Sequence, residues 1–198
     1  MGEVAENTDA TITVVSGLPR SGTSLVMQML AAGGMTVLTD GKREPDASNP
    51  RGYFEFDPVK RTAADASWVA EARGKAVKVI YQLLRSMPGG YTYRVILLRR
   101  DIDEVVASQK AMLRRLGKPP LAISEQTLAQ GLEDGLRDTE TWLSRQLNWM
   151  VLPLAHADLV AEPEVAAESL SVFCGGLNRQ AMTAVVDPAL YRERGQRA

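Results

Sequence analysis

Residues 11–30 read TITVVSGLPRSGTSLVMQML, and this stretch decides the fold. Its first part, residues 11–16, is a run of mostly β-branched side chains, which predicts a strand buried on both faces. From Thr23 onward the apolar residues recur at helical spacing, and the pair Gly33-Gly34 predicts the end of that helix. The stretch therefore predicts a buried strand that passes through a glycine-containing loop into a helix.

The connecting loop has the spacing G-x-x-x-x-G-x-S from Gly17 to Ser24. Backbone N–H groups and the helix dipole favour an anion at this position, so we predict a phosphate-binding loop. Thr23 stands where nucleotide-hydrolysing loops of this spacing have lysine, but Arg20 can supply positive charge instead. The hydroxyls of Ser21, Thr23 and Ser24 can donate to phosphate oxygens. The alternative is a tight turn that needs glycine for its geometry alone.

Four further strands are predicted along the chain, at residues 35–39, 75–81, 93–100 and 148–154. Helices are predicted after Asp101 and Ser124, and Pro163 fits the first turn of another. A short helix around Trp68 and a final helix over residues 177–198 complete the prediction. This alternation predicts right-handed crossovers and an α/β fold of the P-loop nucleotide-binding type, with about five parallel strands and helices on both faces.

Length and composition predict one globular domain over residues 11–198, preceded by a flexible tail over residues 1–10. Lys plus Arg (23) nearly balance Asp plus Glu (24), so we expect no nucleic-acid or membrane partner. The polar start of the chain has no apolar segment that would make a signal peptide or a membrane anchor. The single cysteine, Cys174, excludes an intramolecular disulfide and suits the cytoplasm, where we expect the protein to act.

A second candidate anion site lies in RVILLRRDIDEVVAS, residues 94–108. Arg100 ends the predicted fourth strand, and Ser108 follows two turns into the next helix. Because ligands bind at the carboxyl ends of parallel strands, Arg100 is expected to face the same edge as the phosphate loop. Arginine clamps phosphate bidentately, and the hydroxyl would complete the site. The alternative is that Arg99 and Arg100 merely neutralise neighbouring acidic residues on a solvated surface.

These motifs together resemble the sulfotransferases that use 3′-phosphoadenosine 5′-phosphosulfate (PAPS). The loop LPRSGTS resembles the family's 5′-phosphosulfate loop, and Arg100 with Ser108 eight positions later resembles its 3′-phosphate motif. HADLVAEPEVAAESLSVFCGGL resembles a late segment of the family, and SNPRGYFEF resembles small bacterial sulfotransferase-like proteins. The resemblance covers most of residues 11–194.

The resemblance implies sulfuryl transfer from PAPS to a hydroxyl or amine of a small-molecule acceptor, with release of PAP and no metal. It implies that the 3′-phosphate is held by Arg100 and Ser108. It also implies that the 5′-phosphosulfate is held by five loop residues: Arg20, Ser21, Gly22, Thr23 and Ser24.

The proton acceptor cannot be carried over from the family. Cytosolic sulfotransferases carry a catalytic histidine in a third-strand run resembling K-T-H, where this chain has Lys78-Val79-Ile80. Lys78 matches the family's lysine, which implies that Lys78 stabilises the charge on the bridging oxygen as PAP leaves; the alternative is that it pairs with a carboxylate at the strand edge. The only histidine, His156, follows the fifth strand, and we expect a structural or surface role for it.

Other sulfotransferase branches use glutamate as the base, which directs attention to the polar loop over residues 40–62. Glu55 is the leading candidate because it stands among aromatic residues, where partial desolvation would make its carboxylate a stronger base. Asp57 is the second candidate. The alternative is that both are solvated loop carboxylates. The aromatic residues of this loop favour an apolar or ring-bearing acceptor.

Two other functions stay open from the sequence. A phosphotransferase or NTPase needs magnesium ligands and normally the loop lysine that Thr23 replaces, and Asp40 after the second strand is a possible ligand. A nucleotide-binding module without turnover is the other, because the usual histidine is missing.

Overall fold

The protein is described by a computed structural model of residues 11–47 and 49–191. Within these ranges, five strands form one parallel sheet in the order β2-β3-β1-β4-β5. They are β1 (Ile12–Gly17), β2 (Val37–Leu38), β3 (Ala76–Lys78), β4 (Tyr93–Arg99) and β5 (Trp149–Ala155). The predicted α/β fold with a parallel sheet is confirmed, although β2 and β3 are shorter than predicted. The predicted tail over residues 1–10 lies outside the described residues.

The two central strands read as apolar runs because both of their faces are covered. Every residue of β1 is buried, and it pairs with β4 from Ile12 opposite Tyr93 to Gly17 opposite Leu98. Side chains then alternate between two cores: Val14 packs on one face of the sheet and Val15 on the other. This arrangement fixes the carboxyl ends of β1 and β4 side by side.

Six helices connect and cover the strands within the described ranges. They are α1 (Thr23–Ala32), α2 (Ile102–Arg115), α3 (Glu125–Leu143), α4 (His156–Ala161), α5 (Pro163–Cys174) and α6 (Arg179–Ala184). Helices α1, α4, α5 and α6 contribute to one core, and α3 packs with 3₁₀ turns on the opposite face. The predicted caps are present: Asp101 accepts from the N–H groups of Asp103 and Glu104, and Ser124 accepts from Thr127 N–H.

The prediction for the end of the chain is wrong. Instead of one helix over residues 177–198, α6 ends at Ala184 and a 3₁₀ turn follows over Pro188–Leu190. Pro188 explains the break, because proline lacks an N–H group and disfavours helical backbone at the residue before it, Asp187. Residues 192–198 of the predicted helix lie outside the described residues. The segment around Trp68 is a 3₁₀ turn over Ser67–Ala72.

The thiol of Cys174 is buried in the core between the sheet and α5, and burial raises its pKa to about 11. Among the described residues, no helix has both the length and the apolar character needed to cross a membrane.

Candidate functional site

The predicted phosphate loop joins β1 to α1 through a turn. Two positions in this turn, Gly17 and Gly22, accommodate only glycine. Gly22 is the N-cap of α1 and has φ 99°, a left-handed conformation that side chains disfavour. A Cβ atom on Gly17 would lie 2.7 Å from the carbonyl oxygen of Leu98 and 2.7 Å from Ser21 Oγ. The loop therefore packs tightly against the end of β4, with the N-terminus of α1 behind it.

Arg20 connects this loop to the second predicted motif. Its backbone has φ 70°, an uncommon conformation for a residue with a side chain. Its carbonyl oxygen accepts a hydrogen bond from Arg100 Nη1 (2.9 Å), and its own Nε donates to Ser108 Oγ (3.1 Å). The two sequence motifs, 80 residues or more apart, thus form one continuous structure.

Arg100 belongs to a buried charged cluster. Its Nε donates to Glu104 Oε2 (2.9 Å), and the two side chains are only 9% and 7% exposed. The Tyr191 hydroxyl donates to the same carboxylate (2.7 Å), and the Tyr191 ring centroid lies 5.2 Å from the Arg100 guanidinium. Arg99, in contrast, pairs with Glu140 at the surface. The two adjacent arginines therefore have different environments, and only Arg100 faces the site.

A cavity of about 310 Å³ lies above the phosphate loop. It brings together most of the residues predicted from the sequence: Arg20, Gly22, Thr23, Ser24, Glu55, Lys78, Arg100 and Ser108. Ser21 lies behind the lining, where its Oγ is buried and has no hydrogen-bond partner among the described residues. Asp57 is absent from the lining.

Lys78 reaches the cavity from the carboxyl end of β3. Its Nζ donates to Ser24 Oγ (3.1 Å) and to the carbonyl oxygen of Tyr53 (2.8 Å). Burial lowers the pKa of Lys78 to about 8, against a partial opposing effect of Glu55. The ammonium is thus a buried donor beside the phosphate loop. It should lose its proton at mildly alkaline pH.

Glu55 lines the cavity but has cationic rather than aromatic neighbours. Its carboxylate accepts from Arg43 Nη1 (2.6 Å) and lies 3.9 Å from Lys60 Nζ. The Arg43 guanidinium is stacked 3.4 Å from the Tyr53 ring centroid. The apolar environment predicted for Glu55 is therefore wrong: the nearby Phe56 packs against Trp68 in the core instead.

Asp57 begins a 3₁₀ turn at the surface, with its side chain 47% exposed. Its carboxylate accepts from Lys60 (2.8 Å) and Lys42 (3.2 Å), and these two contacts lower the pKa of Asp57. Asp40, the possible magnesium ligand, accepts from the backbone N–H groups of Asp57 and Lys42 and is also outside the cavity lining. Among the described residues, no group of three or more His, Cys, Asp or Glu side chains is arranged to hold a metal ion.

His156 lines the cavity, although its sequence context predicted only a structural or surface role. It is buried, and a Cβ atom on Gly22 would lie only 2.4 Å from its Cδ2 atom. Its ring makes an edge contact with Tyr191 at 4.7 Å, and its Nδ1 is buried and has no partner among the described residues. Burial and the nearby Arg100 charge lower the pKa of His156 to about 4, so the ring is neutral at physiological pH. The sequence signal for this location was the position of His156 directly after β5, at the carboxyl edge of the sheet.

Comparison with known proteins supports the fold. No family model matches the chain, and no curated protein sequence matches it. The sulfotransferase domain of the Synechococcus PCC 7002 olefin synthase is similar in structure, with a TM-score of 0.55 and 16% identity over 95% of this chain and 89% of that domain. The sulfotransferase domain from the curacin biosynthetic pathway has a TM-score of 0.54 and 15% identity over 92% and 83%. The chain therefore has a sulfotransferase-like fold, as its sequence predicted.

Proposed function

We propose that this protein transfers a sulfuryl group from PAPS to a hydroxyl or amine of a small-molecule acceptor and releases PAP. The observation that carries the proposal is the direct connection between the two anion motifs. Arg20 donates to Ser108, Arg100 donates to the Arg20 carbonyl, and all three residues line one cavity. A nucleotide with anions on both the 3′ and the 5′ oxygens of one ribose requires two such neighbouring sites.

The phosphate loop would hold the 5′-phosphosulfate through its backbone N–H groups, the Arg20 guanidinium and the hydroxyls of Thr23 and Ser24. The Ser21 hydroxyl, also predicted to donate, is buried behind the cavity lining and is not assigned to the ligand. Arg100 and Ser108 would hold the 3′-phosphate. Each charge-assisted hydrogen bond contributes about 1.5–3 kcal/mol, so the second site would distinguish PAP from AMP clearly.

The strand order supports a division of the cavity into two ends. Lys78 is the last residue of β3, Arg100 follows β4 and His156 follows β5. Strand β1, which leads into the phosphate loop, lies between β3 and β4. Neighbouring strands are about 4.8 Å apart, so the ends of β3 and β5 are separated by about 14 Å. With the 3′-phosphate at Arg100, the nucleoside would extend toward His156 and Tyr191. We call this the nucleotide end and the side of Lys78 and Glu55 the acceptor end.

At the acceptor end, Glu55 is proposed to accept the proton of the attacking hydroxyl or amine. A bond forms between the acceptor atom and sulfur, and the bond from sulfur to the bridging oxygen breaks, leaving its electron pair on the phosphate of PAP. The Lys78 ammonium would stabilise that charge. Asp57 is the second candidate base, although its ion pairs with two lysines hold it outside the cavity lining. The neutral His156 lies at the opposite end and would contact the nucleoside.

The test is turnover with PAPS and a screen of phenols, sugars and amines, measured as PAP release. At least one acceptor class should support PAP release above the acceptor-free background, and removal of divalent metal with EDTA should leave the rate unchanged. A protein that binds PAP but releases none from PAPS with any acceptor would instead be a nucleotide-binding module. This module without turnover is the second candidate function. The ion pair between Glu55 and Arg43 favours it, because Arg43 already binds the carboxylate of the proposed base.

A further inference from the structure

The last part of the described chain forms one wall of the cavity and places Tyr191 there. A 3₁₀ turn over Pro188–Leu190 precedes Tyr191, which lines the cavity. Arg51 anchors the start of this segment, because it donates to the carbonyl oxygen of Val185 and pairs with Asp187 at 3.3 Å. Tyr191 thus belongs to a wall that another part of the chain holds in place.

Tyr191 contacts the charged pair of the proposed 3′-phosphate site in two ways. Its hydroxyl lies 2.7 Å from each carboxylate oxygen of Glu104, and its ring centroid lies 5.2 Å from the Arg100 guanidinium. The ring also meets His156 edge-on at 4.7 Å. Glu104 in turn accepts a hydrogen bond from Arg100 Nε at 2.9 Å. The tyrosine therefore contacts both members of the ion pair, with its hydroxyl on the carboxylate and its ring near the guanidinium.

Glu104 gives the Tyr191 hydroxyl a partner whose backbone is fixed. It is the third residue of α2, and its backbone N–H donates to the capping side chain of Asp101. The side chains of Glu104 and Arg100 are only 7% and 9% exposed. Net stabilisation by a buried ion pair is small, because the cost of removing two charges from water offsets most of their attraction. The pair therefore matters here for geometry: the carboxylate fixes the direction of the guanidinium.

We propose that Tyr191 is a positioning residue for the second anion site. Its hydroxyl holds the Glu104 carboxylate against Arg100 Nε, and that carboxylate and the Arg20 carbonyl together hold the guanidinium at the cavity. Arginine recognises phosphate through a planar fork of donors, so a rotation of the guanidinium would misplace them. This inference rests on the proposed function, because it assumes that Arg100 binds the 3′-phosphate.

Calorimetry with PAP and AMP tests this role, because AMP lacks the 3′-phosphate and reports the contacts that the two ligands share. Tyr191→Phe keeps the ring and removes the hydroxyl. We expect it to weaken PAP binding about three- to tenfold, the range for one hydrogen bond, and to change AMP affinity less than about twofold.

The matched control is Tyr91→Phe, which should retain the wild-type preference for PAP over AMP. The Tyr91 ring centroid also lies close to an arginine, 5.0 Å from the Arg73 guanidinium, but Tyr91 is not part of the cavity lining. Equal loss of preference in Tyr91→Phe and Tyr191→Phe would overturn the proposal, because the effect would not depend on the cavity.

A double-mutant cycle tests whether the hydroxyl acts through Glu104. Glu104→Gln keeps the size of the side chain and removes its charge, and we expect it to reduce the preference for PAP at least as much as Tyr191→Phe does. The double variant should lose little more than Glu104→Gln alone, because residues that act through one another are not additive. Fully additive losses would overturn the route through Glu104.

The outcomes separate this inference from the proposed function. Wild-type preference in Tyr191→Phe, or equal weakening of PAP and AMP, would overturn the positioning role and leave the donor assignment intact. A stronger preference for PAP in Glu104→Gln would also overturn it, because the carboxylate would then compete with the phosphate for Arg100. Wild-type protein that binds PAP no more tightly than AMP would overturn the proposed function and this inference with it.

Discussion

The nucleotide end and the acceptor end of the cavity are built from different kinds of contact. At the nucleotide end, the phosphate loop and Arg100 extend from two buried central strands, and backbone groups take part in their connection. At the acceptor end, the backbone of Glu55 is hydrogen-bonded to Thr39 and Asp40, but the side chains of Arg43 and Glu55 are held by a partly exposed ion pair. Buried backbone contacts fix geometry, whereas exposed ion pairs contribute little and exchange readily. The comparison indicates that side chains at the proposed donor site are held more rigidly than side chains at the proposed acceptor site.

The largest effect is expected from Glu55→Gln at the acceptor end. The amide keeps the size of the side chain but cannot accept a proton, so turnover should fall about 10²–10⁴-fold while PAP affinity is unchanged. PAP release at saturating PAPS measures it. Asp57→Asn should cost much less. Because Glu55→Gln also leaves Arg43 without this carboxylate partner, Arg43→Gln is the control, and an equal loss there would assign the effect to the ion pair.

The next effect is expected from Arg100→Ala at the nucleotide end. It should remove most of the preference for PAP over AMP, about 10–100-fold in PAP affinity, because only PAP uses the second anion site. Calorimetry with both ligands measures it, and the surface residue Arg99 supplies the matched control Arg99→Ala. The double variant Arg100→Ala/Glu104→Ala avoids leaving a buried carboxylate unpaired. Retention of the full preference in either variant would contradict the 3′-phosphate assignment.

A smaller effect separates backbone strain from packing at the phosphate loop. Gly22 and Gly34 both have φ +99°, but an added Cβ meets His156 at the first position and nothing within 4 Å at the second. Gly34→Ala should lower the free energy of unfolding by about 1 kcal/mol from strain alone. Gly22→Ala should cost on the order of 1 kcal/mol more from overpacking, as measured by urea unfolding. His156→Ala should suppress that difference; equal losses would show that His156 does not pack on the loop.

The last effect, which is absent at neutral pH and develops only in acid, concerns protonation of His156, the only histidine in the sequence. Its ring should titrate with a midpoint of about 4 by NMR, because burial and Arg100 disfavour the imidazolium. An unfolded histidine titrates near 6.5, so between these values the unfolded chain binds a proton that the folded chain does not. The free energy of unfolding should therefore decrease as pH falls from about 6.5 to 4, because protonation favours the unfolded chain. A midpoint near 6.5 would contradict burial at the nucleotide end.

The parts of the molecule that the sequence predicted well depend on local patterns. The β-branched run that makes β1, the caps at Asp101 and Ser124, and the glycine positions of the loop each need only a few neighbouring residues. The approach of Arg100 to the loop followed from a general property of parallel sheets, whose carboxyl ends share one edge. These features predicted the fold and the residues that line the cavity beside the loop.

The parts that could not be predicted depend on contacts between distant segments. The aromatic residues around Glu55 in sequence do not surround it in space, because Phe56 turns into the core and Arg43, 12 positions away, takes the place next to the carboxylate. Tyr191 reaches Glu104 across 87 positions, and the predicted helix that would have contained it is broken before Pro188. Side-chain direction in loops depends on such packing, which periodicity does not encode.

The central claim is that one ligand occupies both anion sites, and the ligand preference of the wild-type protein tests it most directly. Thermal stability is measured with PAP, AMP, ADP and ATP, each with Mg²⁺ and with EDTA. Our account predicts that PAP stabilises the protein more than AMP and does so fully in EDTA, because PAP adds the contacts of Arg100 and Ser108 without a metal. Equal shifts for PAP and AMP would contradict the claim, and a larger shift for ATP with Mg²⁺ than for PAP would favour a phosphotransferase.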